Sequence, residues 1–257
     1  DAKSKNACTV NGDISHCHLL CLMSNASKWL VRHDGMNNQT DTLDWNADGV
    51  PISRRFDDPY FSLQDGRAET RHVFVGGNDL PARFVDGFHV AELGFGTGLN
   101  LLTTWNAWRE SGTSGVLHFT SFEAFPMTHP QMRTALEAFP ELGHLADELL
   151  GALSLKGAQL HDLNVTLITG DARETLPVWD NAADAWFLDG FSPAKNPELW
   201  SAELMQAVGD HTRVDGTFAT YTAAGHVRRS LDAAGFDVER VSGFGRKRHM
   251  SVGKKRG

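Results

Sequence analysis

The chain has 257 residues, 41% of them hydrophobic, which is typical of one sizeable globular domain with a substantial core. No run approaches the roughly 18 apolar residues that span a bilayer, so we expect a soluble protein without a membrane partner. The net charge of −8 argues against a generic nucleic-acid coat protein. Nine Lys/Arg against three Asp/Glu nevertheless lie in residues 225–257, a basic end that either faces a polyanion or is simply solvated.

Residues 1–40 form a polar segment that begins with Asp, and we interpret it as a leader, disordered or of cloning origin. All three cysteines of the chain, Cys8, Cys17 and Cys21, fall in it. A single odd cluster lacks the paired C-x-x-C spacing of zinc modules, so no metal site is predicted. The absence of cysteine from the rest of the chain is usual in a reducing compartment, and we expect a cytoplasmic protein.

Residues 41–86 are rich in turn signals, among them Asn-Ala-Asp-Gly, Gly-Gly-Asn-Asp and proline. Short apolar segments between these signals predict a small N-terminal β extension, whose strands continue into "AETRHVFVGGNDLPARF". Several charged side chains of the extension form either a structural ion-pair network, which we prefer, or a lid: Asp57, Asp58, Glu69 and Arg71.

Residues 87–257 alternate apolar strands with helical stretches, which predicts a Rossmann-like α/β domain with helices on both faces of a mostly parallel, seven-stranded sheet. A helical insertion is expected at about 129–163. The last two strands follow each other without a helix, so the final strand should run antiparallel. The predicted strands are "FHVAEL", "VLHFTSFEAF", "VTLITG", "AWFLDGF", "GTFATYT", "FDVERV" and "HMSVGK".

The turn after the first of these strands, "AELGFGTGLN", combines an acid, Glu92, with three glycines, Gly94, Gly96 and Gly98. Glycines let the backbone turn sharply and let a ligand approach the main chain beside a helix N-terminus. A dinucleotide fingerprint has the spacing G-x-G-x-x-G, and Glu92 would repel a pyrophosphate. An acid here instead suits a cofactor with an ammonium group, held directly or through water. A packing turn is the alternative.

Two further acids follow the next strands. Glu123, after "VLHFTSF", is placed to accept hydrogen bonds from both hydroxyls of a ribose, or it is an exposed strand-end carboxylate. Asp171, in "LITGDARETL", could bind the exocyclic amine of adenine and could also cap the helix that begins there. Ligands of such sheets bind at the carboxyl ends of the strands. The three strand ends together predict a pocket for S-adenosylmethionine.

Asp189, in "FLDGFSPAKNPELW", ends the fourth strand and is expected beside the reactive centre of that cofactor. Methylation of an amine needs a neutral nitrogen in line with the methyl group, and a carboxylate can orient the lone pair and take the proton. Phe191 offers an aromatic wall. Lys195 is either a phosphate contact or a partner for Asp189. The alternative is that Asp189 only caps a turn within a rigid connection.

A resemblance to a known family becomes specific at this point. The segments "GRAETRHVFVGGNDLPARF", "AELGFGTGLNLL", "SFEAFP", "WFLDGFSPAKNPELW" and "GFGRKRHM" resemble the methyltransferase domain of the MnmC family from about Leu43 to Gly253. The resemblance implies a class I methyltransferase fold and S-adenosylmethionine-dependent methylation of 5-aminomethyl-2-thiouridine at the tRNA wobble position. Ser192, Tyr221 and His249 stand where we expect Ala, Phe and Glu in the family.

Motif by motif, the resemblance assigns the acids and glycines of the first three strand ends to the cofactor and Asp189 to the amine. Members of the family often carry a C-terminal FAD-dependent oxidase, so such a domain is expected fused or acting separately. The tRNA substrate gives the basic end a purpose, contact with an anticodon stem-loop. Tentative RNA-binding residues are Phe191, Lys195, Arg246, Lys247 and Arg248, with Arg54, Arg55, Arg71, Arg228 and Arg229 on the same basic face.

Two other functions fit parts of the pattern. A class I methyltransferase acting on another amine or on protein would share the strand-end acids without needing a basic rim. A nucleotide-binding dehydrogenase or a non-catalytic Rossmann-like module would share the fold. The glycine spacing and Glu92 argue against the dehydrogenase.

Overall fold

The computed structural model describes residues 42–62 and 65–257, arranged around two β-sheets. The predicted leader and its cysteines lie outside the described residues. Within the described residues, no helix is long and apolar enough to cross a membrane.

The small sheet is antiparallel and has the order β1-β2-β3, and the large sheet has eight strands. The strands of the small sheet are β1 (Leu43–Trp45), β2 (Pro51–Ser53) and β3 (Asp58–Pro59). Those of the large sheet are β4 (His89–Leu93), β5 (Leu117–Glu123), β6 (Gly157–Gln159), β7 (Leu163–Thr169), β8 (Ala183–Leu188), β9 (Thr212–Thr220), β10 (Phe236–Ser242) and β11 (His249–Lys255). The α-helices are α1 (Gly66–Thr70), α2 (Leu99–Ser111), α3 (His129–Leu136), α4 (Gly143–Ala152), α5 (Ala172–Thr175), α6 (Ala202–Asp210) and α7 (Gly225–Ala233).

The large sheet has the order β10-β11-β9-β8-β4-β5-β7-β6. The neighbours β8, β4, β5 and β7 pair in parallel, as does β9 with β8, and β11 runs antiparallel to both of its neighbours. The mostly parallel sheet with an antiparallel last strand is therefore confirmed. The predicted number of seven strands was one too low, because β6 adds an antiparallel edge to β7. It follows a tight turn closed by hydrogen bonds between Ser154 and Gly157.

Apolar side chains cover both faces of this sheet. One core contains Trp105, Phe119 and Phe187, and the other contains Trp186 and Phe218, all fully or almost fully buried. Adjacent residues of β8 thus enter opposite cores, as the period of a strand requires. This arrangement confirms the prediction of helices on both faces.

The N-terminal extension is only half β. The prediction of strands through "AETRHVFVGG" was wrong, because α1 begins at Gly66 and continues as a π-helical segment over Arg71–Gly76. Asp65 caps α1 by accepting a hydrogen bond from the Ala68 amide at 2.8 Å. The run "VFV", at residues 73–75, is buried throughout, and its β-branched, apolar character resembles a strand in sequence.

The helix predicted from Pro197 to Val208 is divided into two elements in the structure. A 3-10 turn covers Pro197–Trp200, and α6 begins after Ser201, whose hydroxyl accepts a hydrogen bond from the Leu204 amide. In the expected insertion, α3, a 3-10 turn at Pro140–Leu142 and α4 precede β6. A further 3-10 turn, Leu176–Val178, follows α5.

Candidate active site

The carboxyl ends of β4, β5 and β8 open into one cleft of about 350 Å³. These strands are neighbours in the sheet, and the chain order changes direction at β4, where ligands of open α/β sheets bind. The N-terminal extension and the β10–β11 turn close the sides. Residues that line the cleft include Phe56, Asp58, Tyr60, Glu69, Thr70, Gly94, Gly96, Asn100, Glu123, Phe125, Asp189, Phe191, Tyr221 and Lys247.

The glycine turn after β4 presents the bare main chain of Gly94 and Gly96 to this cleft, whereas Gly98 is not among the lining residues. Gly94, Gly96 and Gly98 have φ values of 85°, 52° and 81°, which favour glycine. A Cβ on Gly94 would lie 3.3 Å from Cα of Gly190, and a Cβ on Gly96 would lie 3.1 Å from the Tyr60 ring. A Cβ at either position would therefore be crowded, against Gly190 or against the Tyr60 ring.

Glu92 lies beneath that turn, fully buried, and does not line the cleft. Its two carboxyl oxygens accept hydrogen bonds from Ser121 Oγ at 2.7 Å and from Asn100 Nδ2 at 2.9 Å. Burial raises the pKa of Glu92 well above its usual range, and the two hydrogen bonds oppose that effect. Glu92 consequently acts on the cleft through Asn100.

Asn100 connects Glu92 with Asp189, a role that sequence reasoning missed. Its Nδ2 also donates to Oδ2 of Asp189 at 2.7 Å, and its Oδ1 accepts from Thr70 Oγ1 at 2.7 Å. The hydroxyl donor of Thr70 on one side and two carboxyl acceptors on the other fix the orientation of the amide. The sequence signal was a polar residue in the first turn of the otherwise apolar helix "LNLL".

Asp189 is partly buried at the floor of the cleft. Burial raises its pKa to about 6, and the nearby Glu69 acts in the same direction. The Asn100 amide, the Gly190 backbone N–H and the Lys247 ammonium oppose this shift. A carboxyl group with a pKa raised in this way is suited to accept a proton from a substrate.

An aromatic wall stands next to Asp189. The Phe191 ring stacks on Phe56 at 4.6 Å between centroids and meets Tyr60 edge-on at 5.1 Å. Trp200 Nε1 donates to the Phe191 carbonyl at 2.9 Å, and Tyr221 donates its hydroxyl hydrogen to the Gly190 carbonyl at 2.8 Å. The loop after β8 is thus held on both sides.

The acids after β5 and β7 differ in position. Glu123 lines the cleft, where its carboxylate accepts from the Gly96 amide at 3.0 Å and from the Phe125 amide at 2.7 Å. Asp171 is not among the lining residues. It caps α5 and forms an ion pair of 2.5 Å with Arg173, which lowers the pKa of its carboxyl group. The predicted capping geometry of Asp171 is therefore present.

The N-terminal extension holds the loop after β8. The Asp58 carboxylate accepts from the Ser192 amide at 2.9 Å, and Lys195 Nζ forms an ion pair of 2.6 Å with Asp57. We expected Lys195 to contact either a phosphate or Asp189. Because Lys195 pairs with Asp57, the expected pairing with Asp189 was wrong. The preferred ion-pair network of Asp57, Asp58, Glu69 and Arg71 stays a prediction; of its acids, Asp57 pairs with Lys195 and Glu69 with Lys247.

The tentative RNA-binding residues of the β10–β11 turn separate into two groups. Lys247 lines the cleft, where its Nζ lies 2.8 Å from the Glu69 carboxylate and 4.0 Å from the centre of the Tyr221 ring. Arg246 and Arg248 are exposed on either side of it. On the opposite wall, the Arg55 guanidinium lies 4.2 Å above the Phe125 ring. Basic groups thus border the cleft on two sides.

Comparisons with known proteins show which proteins this chain resembles. A family model described as S-adenosyl-L-methionine-dependent methyltransferase matches residues 142–256. The tRNA 5-methylaminomethyl-2-thiouridine biosynthesis bifunctional protein MnmC of Marinomonas sp. is 42% identical over 84% of this chain, and that of Aeromonas hydrophila is 45% identical over 83%. Over most of its own length, this chain is therefore similar to MnmC proteins. It spans about a third of the length of these relatives, 34% and 35%.

The fold agrees with that of a solved MnmC-type structure. MNMC2 from Aquifex aeolicus superposes with a TM-score of 0.65 over 85% of this chain and 71% of its own, at 24% identity. The resemblance to the MnmC family and the class I methyltransferase fold are confirmed, and S-adenosylmethionine is the cofactor on which this family depends.

Proposed function

We propose that this chain methylates the aminomethyl nitrogen of 5-aminomethyl-2-thiouridine at the tRNA wobble position, giving 5-methylaminomethyl-2-thiouridine. The observation that carries the proposal is Asp189, a partly buried acid held by Asn100 beside the glycine turn of a methyltransferase fold. The similarity to MnmC proteins, which are named for tRNA 5-methylaminomethyl-2-thiouridine biosynthesis, supports the choice of substrate.

The residues present fit S-adenosylmethionine, which supplies an electrophilic methyl group when bound. A cleft of about 350 Å³ falls within the range of roughly 300–1,000 Å³ of small-molecule sites. We assign the bare main chain of Gly94, Gly96 and Gly98 to the cofactor, and the Glu123 carboxylate to its ribose. The Glu123 carboxylate is oriented in the cleft by the backbone N–H groups of Gly96 and Phe125.

The two remaining acids have less direct assignments. Glu92 would act on the cofactor end of the cleft through Asn100, since its own oxygens are enclosed. Asp171 stays our candidate for the exocyclic amine of adenine, which would compete with Arg173 for the carboxylate.

Asp189 prepares the substrate nitrogen. Its Oδ2 is occupied by Asn100, so the carboxylate keeps acceptor capacity for an amine N–H. That hydrogen bond would aim the nitrogen lone pair at the methyl carbon. As the nitrogen–carbon bond forms, the nitrogen loses a proton, and the Asp189 carboxylate is the group placed to receive it. The aromatic wall of Phe56, Tyr60 and Phe191 would hold a uracil ring that has left its stack.

The proposed reaction involves a tRNA and an oxidase as partners and takes place in the cytoplasm. The tRNA anticodon stem-loop would contact the basic groups beside the cleft, with Lys195 remaining a candidate phosphate contact. An FAD-dependent oxidase, fused or separate, would supply the aminomethyl substrate, and the cytoplasm is where we place the reaction. A small-amine or protein methyltransferase would not need the basic groups.

The decisive experiment is transfer of label from [methyl-³H]S-adenosylmethionine to tRNA hypomodified at the wobble base, followed by nucleoside analysis. Asp189→Asn should slow turnover by about 10²-fold or more, because the amide cannot accept the proton, while cofactor affinity changes little. Asp57→Asn, in the exposed pair with Lys195, is the matched control and should stay near wild type. Unchanged turnover in Asp189→Asn would remove its catalytic role, and label that appears only in small amines or protein would refute the tRNA substrate.

A further inference from the structure

A cation, an acid and an aromatic ring meet inside the cleft. Lys247 Nζ lies 2.8 Å from Glu69 Oε1 and 4.0 Å from the centre of the Tyr221 ring. All three residues line the same cleft as Asp189. A carboxylate beside an aromatic face is a site that recognises a compact ammonium group.

We infer that Glu69 and the ring of Tyr221 form the binding subsite for the primary ammonium group of the substrate, and that Lys247 is an internal cation that the substrate displaces. This inference rests on the proposed function, because it names where the aminomethyl group enters.

The acid and the ring are the fixed parts of the subsite. Glu69 lies on α1 with 14% of its side chain exposed. The Tyr221 ring is anchored by its hydroxyl, which donates to the Gly190 carbonyl, and it meets Trp200 edge-on at 6.0 Å. Removing the Lys247 ammonium would therefore leave a preformed acceptor for another cation.

Lys247 is the movable part. It lies in the turn between β10 and β11, and its side chain is 46% exposed, so its flexible stem can carry the ammonium into solvent. The ion pair of Lys195 with Asp57 differs from the pair of Lys247 with Glu69. There the acid is 91% exposed, and within the described residues the Lys195 ammonium does not lie over an aromatic ring.

The subsite also leads to the reacting group. Tyr221 holds Gly190, the residue after Asp189, and both Glu69 and Lys247 lie close enough to act on the Asp189 carboxyl group. An ammonium group that replaces Lys247 would thus arrive next to Asp189. The order of events would be capture of the ammonium group by Glu69 and the ring, then loss of one of its protons to solvent, which frees the lone pair. A second proton would pass to the Asp189 carboxylate as the nitrogen–carbon bond forms.

The test compares two anticodon stem-loops, one with 5-aminomethyl-2-thiouridine and one with 2-thiouridine, at fixed salt. The ratio of their dissociation constants isolates the ammonium group, since phosphate contacts cancel. The wild type should prefer the aminomethyl form by about tenfold. Glu69→Gln and Tyr221→Leu should reduce that ratio toward one, and Lys247→Met should increase it by a fewfold, because the competitor is gone. Lys195→Met is the control and should leave the ratio unchanged.

Each outcome decides. A ratio unaffected by Glu69→Gln, in a variant that still binds S-adenosylmethionine and melts like the wild type, overturns the subsite while the proposed function stands. Equal weakening of both stem-loops by Lys247→Met overturns the displacement, because it makes Lys247 a phosphate contact. Absence of methyl transfer from the wild type to aminomethyl tRNA overturns the proposed function and the subsite with it.

Discussion

At the scale of single residues, Asn100 has more influence on the cleft than its size indicates. Its Nδ2 donates to both Glu92 and Asp189, and its hydrogen bond lowers the Asp189 pKa against the effect of burial. Replacing Asn100 by Ala removes this donor, so the Asp189 pKa should rise above about 6, by roughly one unit. The acidic limb of the pH–rate profile should then move upward by the same amount.

Thr70→Val provides the control for that profile. It removes the hydroxyl that donates to Asn100 Oδ1 and leaves the donor to Asp189 in place, so its limb should shift less than that of Asn100→Ala. Identical limbs in the wild type and in Asn100→Ala would show that Asp189 does not set the pH dependence of the reaction.

Asp189 should also reduce the stability of the fold at neutral pH. Its folded pKa of about 6 lies above the ordinary value of 3.8, so the folded state holds the proton more tightly than the unfolded chain. The stability associated with this group is complete below about pH 4 and is lost as the pH rises through 6. Asp189→Asn should therefore raise the free energy of unfolding at pH 7 by about 1–3 kcal/mol.

Urea unfolding at pH 4 and pH 7 measures this effect, and the difference between Asp189→Asn and the wild type should nearly vanish at the lower pH. If Asp189→Asn raised the free energy of unfolding equally at pH 4 and pH 7, the cause would be packing and not the ionisation of Asp189. Residues at functional sites commonly reduce the stability of the fold in this way.

The sequence predicted the strand-end residues better than their partners. Asp189 and Glu123 follow apolar strands, and the alternation of strands and helices is enough to bring both to one edge of the sheet. Glu69 and Lys247 are far apart in the chain, and no local pattern predicts that they meet. Asp171 was placed by the same strand-end rule, but the nearby Arg173 engages its carboxylate.

At the scale of elements, α1 and its π-helical continuation form one wall of the site. They supply Glu69 and Thr70, and they pack on β9 and β11 through Gly77, where a Cβ would lie 2.8 Å from the Ala219 Cβ and 2.2 Å from the Val73 carbonyl oxygen. Gly77→Ala should consequently lower the free energy of unfolding by about 1–3 kcal/mol and weaken methyl transfer, because the helix cannot dock closely.

Gly151→Ala is the matched substitution for Gly77→Ala. Gly151 lies in α4, and a Cβ there meets no atom within 4 Å, so alanine should stabilise the protein by up to about 1 kcal/mol. Chemical denaturation of both variants tests the pair. Equal stability of Gly77→Ala and the wild type would contradict the close packing of this segment.

The elements that could be predicted are those with a clear period. The strands and helices after Phe88 follow their hydrophobic pattern, whereas α1 does not. The π-helical turn buries Val73, Phe74 and Val75 together, so the segment lacks both helical and alternating periodicity. Strand β6 is only three residues long and owes its existence to the turn at Gly157, which no hydrophobic pattern indicates.

At the scale of the whole molecule, the charge is unevenly distributed. The net charge is −8, yet the last 33 residues carry nine Lys/Arg against three Asp/Glu. Some of this basic charge is paired locally. Arg256 forms ion pairs with Asp232 and Asp237, and Lys254 pairs with Asp215. In the β10–β11 turn beside the cleft, by contrast, Arg246 and Arg248 are exposed and can face a polyanion.

This distribution predicts the salt dependence of tRNA binding. Each lysine or arginine that neutralises a phosphate contributes about one to the slope of log affinity against log salt concentration. Arg246→Gln and Arg248→Gln should each reduce that slope by about one and weaken the binding of all tRNAs alike. Arg256→Gln removes the same charge from the same end of the chain, but its charge is already paired with Asp232 and Asp237, so the slope should not change. Equal reductions in all three variants would mean that the net charge attracts the RNA and that the β10–β11 turn does not position it.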